Sequence, residues 1–503
     1  MSTPDGADSA PRNLSQQRKL AKDLLKSARE GDAEALGRLR AQLDEIEREP
    51  QLADAQLAVA REAGFDSWPK LVKELEQIEL REFRAALDRG DANRVRRIIS
   101  SSPSVRRKIN DPIGDFGARP VQVAAKHREV LDALIDAGAD INLRSDWEKG
   151  PYSVFDSCDE ATARHLMSRG AKLTAHGAAR LGWLDELREI VDANPAVVHE
   201  KGGDGQRPLH WSKTVEIASF LLDRGAEIDA RCDDHHSTAA QYALVDRADV
   251  CRFLLSHGAT PDIFMAARLG DVALAQKLID EDPTCVAARV NAKGYVPVPP
   301  MHIYCWTLGF FASPHDVARK FGHHDFYEML LRNSPPKVKM LDAISQNDED
   351  RARAAMSEDA SLPGSMTTDE HALLALAVFH NRIDAARLML RLGFDPNARG
   401  VDGGTVLHAA AWVGNLPVVE ELLARKVDLN LTDPTHGSPP LGWAAFGSVA
   451  RRQPGGDYIA VIERLIAAGA NVRAPGNRSG KSMLEMAHGN QEVQAALRRL
   501  GGT

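Results

Sequence analysis

The chain has 503 residues, of which 43% are hydrophobic and 5% aromatic, and its formal net charge is −8. This modest acidic excess disfavours nucleic acid and anionic membranes as partners. The five cysteines are an odd number with no CxxC pair, which favours a reducing compartment over a disulfide framework. No run approaches the roughly 18 apolar residues of a membrane span, and the polar N-terminus lacks a signal-type apolar stretch. We therefore expect a soluble, cytoplasmic protein.

The N-terminal part of the chain precedes the repeated region and differs from it. Residues 1–15 are rich in Ser, Pro, Asp and Gly, a composition typical of disordered tails. Residues 16–78 carry apolar patterns of helical period and form the predicted N-terminal helical capping region, because arrays need ends that shield their apolar faces. The helices predicted within it are 19–30, 33–47, 52–63 and 68–77.

Residues 404–430 show most clearly a unit that recurs along the rest of the chain. A short helix rich in small residues covers 407–411, and Gly414 with Asn415 breaks the pattern where a helix can end. A second helix follows, with an apolar stripe spaced i, i+1, i+4, i+5 at Val418, Val419, Leu422 and Leu423. Neither helix can enclose a core alone, so each pair needs similar pairs stacked beside it.

This unit resembles the ankyrin repeat. Residues 405–408 stand at its TPLH turn, Gly414 and Asn415 at its break between helices, and Leu422 with Leu423 at its paired leucines. Its closing glycine is replaced here by Lys426. Elsewhere the glycine is present, as Gly138, Gly170, Gly225, Gly258, Gly393 and Gly469. The spacings from Gly138 to Gly170, from Gly225 to Gly258 and from Gly393 to Lys426 are 32, 33 and 33 residues, which match the period of about 33.

The resemblance implies an all-α fold, an ankyrin-repeat solenoid of about twelve helix-pair units behind the N-terminal cap. We expect a first part of the array at 79–310 and a second part at 311–503 that ends in a C-terminal cap. Residues 52–76 also resemble a lead-in segment of uncharacterised bacterial ankyrin-repeat proteins. The TPLH-type histidines His210, His315 and His408 are expected to bond to nearby backbone and stiffen the turns.

Two long inter-repeat loops, or fingers, stand out at 231–238 and 291–314, with only a short connection at 260–263 between them. Stacked helices are spaced by about 10 Å, so two fingers separated by a short connection would bound a notch roughly 20 Å wide. Concavities of this kind favour ligands. The notch is therefore the predicted ligand-binding region.

The side chains of these fingers depart most from the ankyrin pattern. Five of the 27 aromatic residues fall within 17 positions of the second finger, and a solvent-exposed run of this kind favours binding. The alternative interpretation is that the aromatic side chains form a small core under the loop and that Asp234 with Ser237 forms an ordinary turn. The candidate ligand-binding residues are Asp233, Asp234, His235, His236, His302, Tyr304 and Trp306.

The function predicted from the sequence is a scaffold that binds a protein partner through its concave, finger-bearing face. The alternative is an enzyme or a small-ligand-binding protein that uses the notch, with histidine–aspartate pairs or Cys305 as reactive groups. No catalytic or phosphate-binding motif is present, so a non-enzymatic role is favoured. No HxxxH or HxH spacing occurs beside a carboxylate, and we therefore expect no metal and no cofactor. A metal site would need His302 from the second finger or His315, which directly follows it.

Overall fold

The computed structural model describes residues 14–43, 48–290, 302–425, 427–450 and 452–502. Within these ranges the only β-type pairing is one isolated bridge between Arg399 and Thr405, and the regular structure is helical. The prediction of an all-α fold is confirmed. Most of the predicted tail, the part of the second finger at 291–301, and Lys426 lie outside the described residues.

The chain divides into two compact units, residues 1–260 with 301–303, and residues 261–300 with 304–503. The predicted division at 310 is not tested by this grouping and stays a prediction. The α-helices of the first unit are Leu14–Arg29, Ala33–Gln42, Leu52–Glu62, Trp68–Asp88, Ala92–Ser101, Pro103–Arg107, Pro120–Val123, Arg128–Asp136, Glu160–Ser168, Ala175–Leu181, Leu184–Ala193, Val215–Asp223, Ala239–Ala243 and Ala248–Ser256.

The second unit has the same alternation of short and longer helices. A helix at Ile303–Thr307 begins at the last residue of the first unit. The α-helices of the second unit are Ile263–Leu269, Val272–Glu281, Ile303–Thr307, Pro314–Lys320, His324–Arg332, Pro336–Ser345, Glu349–Glu358, Thr368–Phe379, Ile383–Arg391, Val406–Trp412, Leu416–Ala424, Pro440–Ala450, Tyr458–Ala467, Met483–Met486 and Gln491–Arg499.

Short 3₁₀ turns lie in the loops that connect these helices. They occupy a few residues each, as expected for a geometry that is used in short pieces. Their bounds are Asp115–Gly117, Val154–Asp156, Pro195–His199, Gly203–Gly205, Pro208–Trp211, Pro283–Ala287 and Val401–Gly403.

Three of the four helices of the N-terminal region begin at the predicted residues 33, 52 and 68, whereas the first begins at Leu14, before its predicted start at 19 and within the predicted tail. The second starts behind Asp32, whose carboxylate accepts hydrogen bonds from the amides of Glu34 and Ala35. The fourth continues past its predicted end at 77 to Asp88, because its apolar stripe extends through the buried Phe83 and Leu87. The expected boundary at 78/79 thus falls within a continuous helix.

The closing glycines adopt the left-handed turn that the repeat predicts. Five of them have φ between +87° and +98° and the sixth has +107°, at Gly138, Gly170, Gly225, Gly258, Gly393 and Gly469. Ala259, which follows Gly258, donates its amide to the carbonyl of Leu254 at 3.0 Å, the pattern that ends a helix on a left-handed residue. An added Cβ at Gly258 would meet no atom within 4 Å, so backbone conformation and not space selects glycine there.

Two of the three TPLH-type histidines bond as predicted. His408 accepts from the amide of Thr405 at 3.0 Å, and its Nε2 lies 3.1 Å from the carbonyl oxygen of Ser438 in the next repeat. His210 repeats both contacts, with Arg207 and Ser237 at 3.1 Å each. His315 differs, since its Nε2 meets the Ser334 hydroxyl at 3.0 Å while its Nδ1 is buried without a hydrogen-bond partner among the described residues.

Candidate functional site

The first finger, 231–238, directs its four candidate side chains to different surroundings. The carboxylate of Asp233 pairs with the Lys201 ammonium, which lies 2.8 and 2.9 Å from its two oxygens. His236 is exposed and has a left-handed φ of +47°, and its carbonyl accepts a hydrogen bond from Arg231 at 2.7 Å. Asp233 therefore connects the finger to the preceding repeat, whereas the contact of His236 lies within the finger.

Asp234 and His235 instead meet Asp204, which lies in the preceding repeat. The Nε2 atom of His235 is 3.6 Å from a carboxylate oxygen of Asp234 and 3.8 Å from one of Asp204. One ligand atom from each of the three residues lies within 4.8 Å of the other two. We call these three residues the His–Asp cluster. They are the described residues that could hold a metal ion.

The backbone holds the two loops of the His–Asp cluster together. Asp204 occupies the middle of the 3₁₀ turn Gly203–Gly205 with φ +58°. Its carbonyl accepts hydrogen bonds from the amides of Asp233 at 2.9 Å and Asp234 at 3.1 Å. The distance between the carboxylates is therefore set by main-chain bonds, and not only by side-chain rotamers.

Aromatic side chains surround the His–Asp cluster. The indole nitrogen of Trp147 donates to Oδ1 of Asp204 at 3.0 Å. Burial, and next a hydrogen bond to Asp204, raises the pKa of the Tyr152 hydroxyl. The ring of His235 lies 6.3 Å from that of Tyr242, whose pKa is also raised, chiefly by burial. The cluster thus sits in a partly dehydrated pocket in which charges interact strongly.

His302, the first described residue of the second finger, is buried in the first unit. Its Nε2 lies 3.2 Å from the amide oxygen of Gln241, and the next amide, of Ile303, donates to the Ser237 hydroxyl at 3.3 Å. Burial, and to a smaller extent the nearby Arg231 and His235, lowers the pKa of His302 to about 4. This side chain anchors the chain against the finger 231–238.

Tyr304 and Trp306 have opposite environments, although they are two residues apart. Tyr304 is fully buried in the second unit, donates its hydroxyl to Asp262 at 2.8 Å and contacts the ring of Phe264 edge-on at 5.6 Å. Trp306 is 57% exposed and touches Phe310 edge-on at 5.5 Å. The alternative interpretation of a small buried core therefore describes Tyr304 and does not describe Trp306.

A second site, which the sequence reasoning missed, lies in the last repeats of the second unit. It is a cavity of about 650 Å³, which we call the aromatic groove. Phe446 and Val449 lie in it with 45% and 38% of their surfaces exposed, an unusual state for large apolar side chains. The lining residues are Phe379, Asp402, Trp412, His436, Ser438, Gly442, Trp443, Phe446, Val449, Asn477, Lys481, Glu485, Met486 and His488.

The rings of the aromatic groove contact one another along successive repeats. Trp412 stacks on Phe379 with a centroid distance of 6.0 Å and an interplanar angle of 12°. It also meets Trp443 at 5.9 Å and Phe446 at 6.0 Å. Trp443 is fixed by its indole nitrogen, which donates to Asp433 at 2.9 Å. A Cβ at Gly404 would lie 2.8 Å from the Trp443 ring, so glycine is needed there to admit the indole.

The spacing of these residues is the signal that could have revealed the groove. Phe379, Trp412 and Phe446 lie at or near the C-terminal ends of the first helices of three consecutive units, 33 and 34 positions apart. Equivalent positions in stacked repeats come side by side. A large aromatic residue at three equivalent positions in succession therefore predicts a continuous aromatic strip.

Comparison with known protein families agrees with the helix pairs and turns of the structure. A family model for ankyrin repeats, in three copies, matches residues 175–265 and 315–433. The chain contains ankyrin repeats. The first matched segment includes the whole His–Asp cluster, and the second includes Phe379 and Trp412 of the aromatic groove.

Curated relatives align over limited parts of the chain. Protein PhlB of Serratia liquefaciens is 35% identical over 74 residues, which are 15% of this chain and 33% of PhlB. Alpha-latrocrustotoxin-Lt1a of Latrodectus tredecimguttatus is 30% identical over 27% of this chain and 9% of the toxin. Alpha-latroinsectotoxin-Lt1a of the same spider is 25% identical over 29% of this chain and 9% of the toxin. The chain thus spans a third or less of each relative.

Among the described residues, no helix has both the length and the apolar character needed to cross a bilayer.

Proposed function

We propose that this ankyrin-repeat protein is a scaffold that binds a protein partner, and that the aromatic groove receives a short apolar segment of that partner. Ankyrin repeats are in general protein-interaction scaffolds. The observation that carries the proposal is the exposure of Phe446 and Val449 beside Trp412 and Trp443 in one cavity. Binding sites for protein segments commonly centre on aromatic anchors of this kind.

The apolar surface of Phe446 that remains exposed to water can contribute to binding. Burying a large apolar side chain stabilises by about 1.5 to 3 kcal/mol, and Phe446 is only half-buried in the free protein. Completing its burial would contribute roughly 1 kcal/mol, and Val449 and Met486 would add to it. Loss of the Phe446 ring would therefore weaken binding by about fivefold.

Polar groups at the edge of the aromatic groove would set the orientation of the bound segment. His436 Nε2 lies within hydrogen-bond distance of the Asp402 carboxylate, at 3.2 Å, on one side, and Lys481 with Glu485 lies on the other. Such side chains offer both donors and acceptors to the backbone of a peptide. An apolar segment with polar flanks fits this arrangement better than a uniformly charged one.

Two further features of the proposal concern location and origin. All five cysteines are buried thiols and none forms a disulfide among the described residues, which supports the proposed cytoplasmic location because thiols persist in reducing compartments. The similarity to a Serratia liquefaciens protein supports a bacterial origin.

The predicted notch between 231–238 and 291–314 stays a prediction, since 291–301 lie outside the described residues.

The test is a selection of displayed random peptides on the full-length protein, followed by affinity measurements with single variants. Peptides that occupy the aromatic groove should lose about fivefold in affinity with Phe446→Ala. Val449→Ala should weaken them as well, whereas Val272→Ala should not, because Val272 has a similar exposure of 42% and does not line the groove. Equal affinity for all variants would contradict the proposal. Loss of affinity with Trp306→Ala alone would move the site to the second finger.

A further inference from the structure

We propose that Asp204, Asp234 and His235 form a binding site for a divalent transition-metal ion of the Zn²⁺ class. The site is separate from the aromatic groove and does not depend on the proposed function. The Nε2 of His235 lies 3.6 and 3.8 Å from the two nearest carboxylate oxygens. Around a tetrahedral Zn²⁺ with bonds of about 2.0 to 2.2 Å, ligand atoms are roughly 3.3 to 3.5 Å apart. Small side-chain rotations would close the difference.

The charge balance of the pocket favours a cation. The ion pairs that Asp204 and Asp234 form with described residues are both to the same His235. The nearby ammonium of Lys201 is bound to Asp233 instead. Two partly buried carboxylates beside one imidazole concentrate negative charge that a cation would offset. A divalent ion would neutralise both, and it would bind the neutral imidazole.

A second observation is independent of the three ligand side chains. The indole nitrogen of Trp147 donates to Oδ1 of Asp204 at 3.0 Å, while Oδ2 is the atom that faces His235. A donor on the outer oxygen of a ligand carboxylate is the usual arrangement around protein-bound metals, because it fixes the carboxylate and leaves the other oxygen for the ion. The amides of Asp233 and Asp234 fix the Asp204 carbonyl from the opposite loop. Asp204, one of the three ligands, is therefore held in position before any ion arrives.

The chain contains a natural comparison for this site. Asp402 stands six residues before His408, as Asp204 stands six before His210, and both aspartates have a left-handed φ, of +52° and +58°. Asp402 likewise pairs with a histidine of the next finger, His436, at 3.2 Å. No second carboxylate joins this pair among the described residues. The same loop position thus yields a simple ion pair in one repeat and a three-ligand cluster in the other.

The ligand types narrow the choice of ion. One imidazole and two carboxylates suit Zn²⁺, Co²⁺ and Mn²⁺ better than the thiophilic Cu⁺. Three protein ligands leave at least one coordination position open for water or another ligand, as in catalytic zinc sites and unlike four-ligand structural ones. The two carboxylates and the neutral imidazole would make the bound site neutral.

The experiment is titration of the chelator-treated full-length protein with Co²⁺, followed by visible absorption, and with Zn²⁺, followed by calorimetry. We expect one equivalent to bind. Asp204→Asn and His235→Ala should each weaken binding by at least about 100-fold, and Trp147→Phe by roughly tenfold. His436→Ala, which breaks the matched pair, should leave the affinity unchanged. Thermal unfolding of each variant checks that it is folded, and Asp234→Asn, at the most exposed ligand, provides a second ligand variant.

Two results would overturn the proposal. One is the absence of saturable binding by the folded wild-type protein at millimolar metal, which would leave His235 as an ion-pair partner of two aspartates. The other is binding that persists in Asp204→Asn, Asp234→Asn and His235→Ala alike, which would place the metal elsewhere on the chain.

Discussion

Acidification should destabilise both units through their buried histidines. Burial lowers the pKa values of four of them to about 4, those of His210, His302, His315 and His408. In the unfolded chain the pKa of histidine is about 6.5. Between these two values the unfolded state binds protons that the folded state does not, so the stabilising contribution is present above pH 6.5 and is lost as the pH falls toward 4.

The size of the effect follows from the two pKa values. For one histidine with a folded pKa of about 4, lowering the pH from 7 to 5 reduces the free energy of unfolding by about 2 kcal/mol. His210 and His302 belong to the first unit, and His315 and His408 to the second. Each unit should therefore lose roughly 4 kcal/mol over this range, which is a large fraction of the stability of an ordinary domain.

The assay is equilibrium urea unfolding at pH 7 and pH 5 of the wild type and His408→Gln. The variant will be less stable at pH 7, since it loses bonds to Thr405 and Ser438. Its further loss between pH 7 and pH 5 should be smaller than that of the wild type by about 2 kcal/mol, because glutamine does not titrate. His488→Gln, which removes an exposed imidazole, should keep the wild-type pH dependence. The same loss in wild type and His408→Gln would refute the argument.

Two other substitutions test the packing of the repeats by urea unfolding and circular dichroism. Leu422→Asp places a charge at a fully buried position and should reduce the free energy of unfolding by roughly 4 kcal/mol or more. Helix should be lost in the neighbouring repeats as well as in the mutated one. Loss of helix in the mutated repeat alone would contradict the dependence of each repeat on its neighbours. Trp306→Ala should change the free energy of unfolding by no more than about 1 kcal/mol, because Trp306 is exposed. Tyr304→Ala should reduce it by about 3 kcal/mol or more, because Tyr304 is buried. Similar losses for both variants would show that Trp306 belongs to the core.

The repeat architecture could be predicted because its determinants are local. The left-handed turn at Gly225 and the buried stripe at Val418 and Leu422 each depend on residues within one or two helical turns. The backbone bonds of His408 also follow from the TPLH pattern alone. Features of this kind recur at a fixed period, so each copy supports the assignment of the others.

The candidate sites depend on neighbours that the period alone does not specify. Asp234 and His235 were recognised because they interrupt the repeat pattern, but their partner Asp204 lies about one repeat earlier, in a loop that reads as an ordinary glycine turn. Tyr304 and Trp306 have similar sequence surroundings, yet one is buried and the other is exposed. Burial at a loop is decided by packing against distant segments, such as Asp262 against Tyr304.

The two aspartate–histidine pairs show how one loop position can have different surroundings in two repeats. Asp204 and Asp402 share their loop position and their conformation, and both meet a histidine of the next finger. The difference lies in the following finger, where Asp234 faces His235, whereas Asp433 bonds to the Trp443 indole. The same position in the fold therefore supports a charged cluster in one repeat and the wall of the aromatic groove in the other. Because the repeat framework holds these loops through its own turns, the side chains at their tips can change with little effect on folding, and each repeat can take a different ligand.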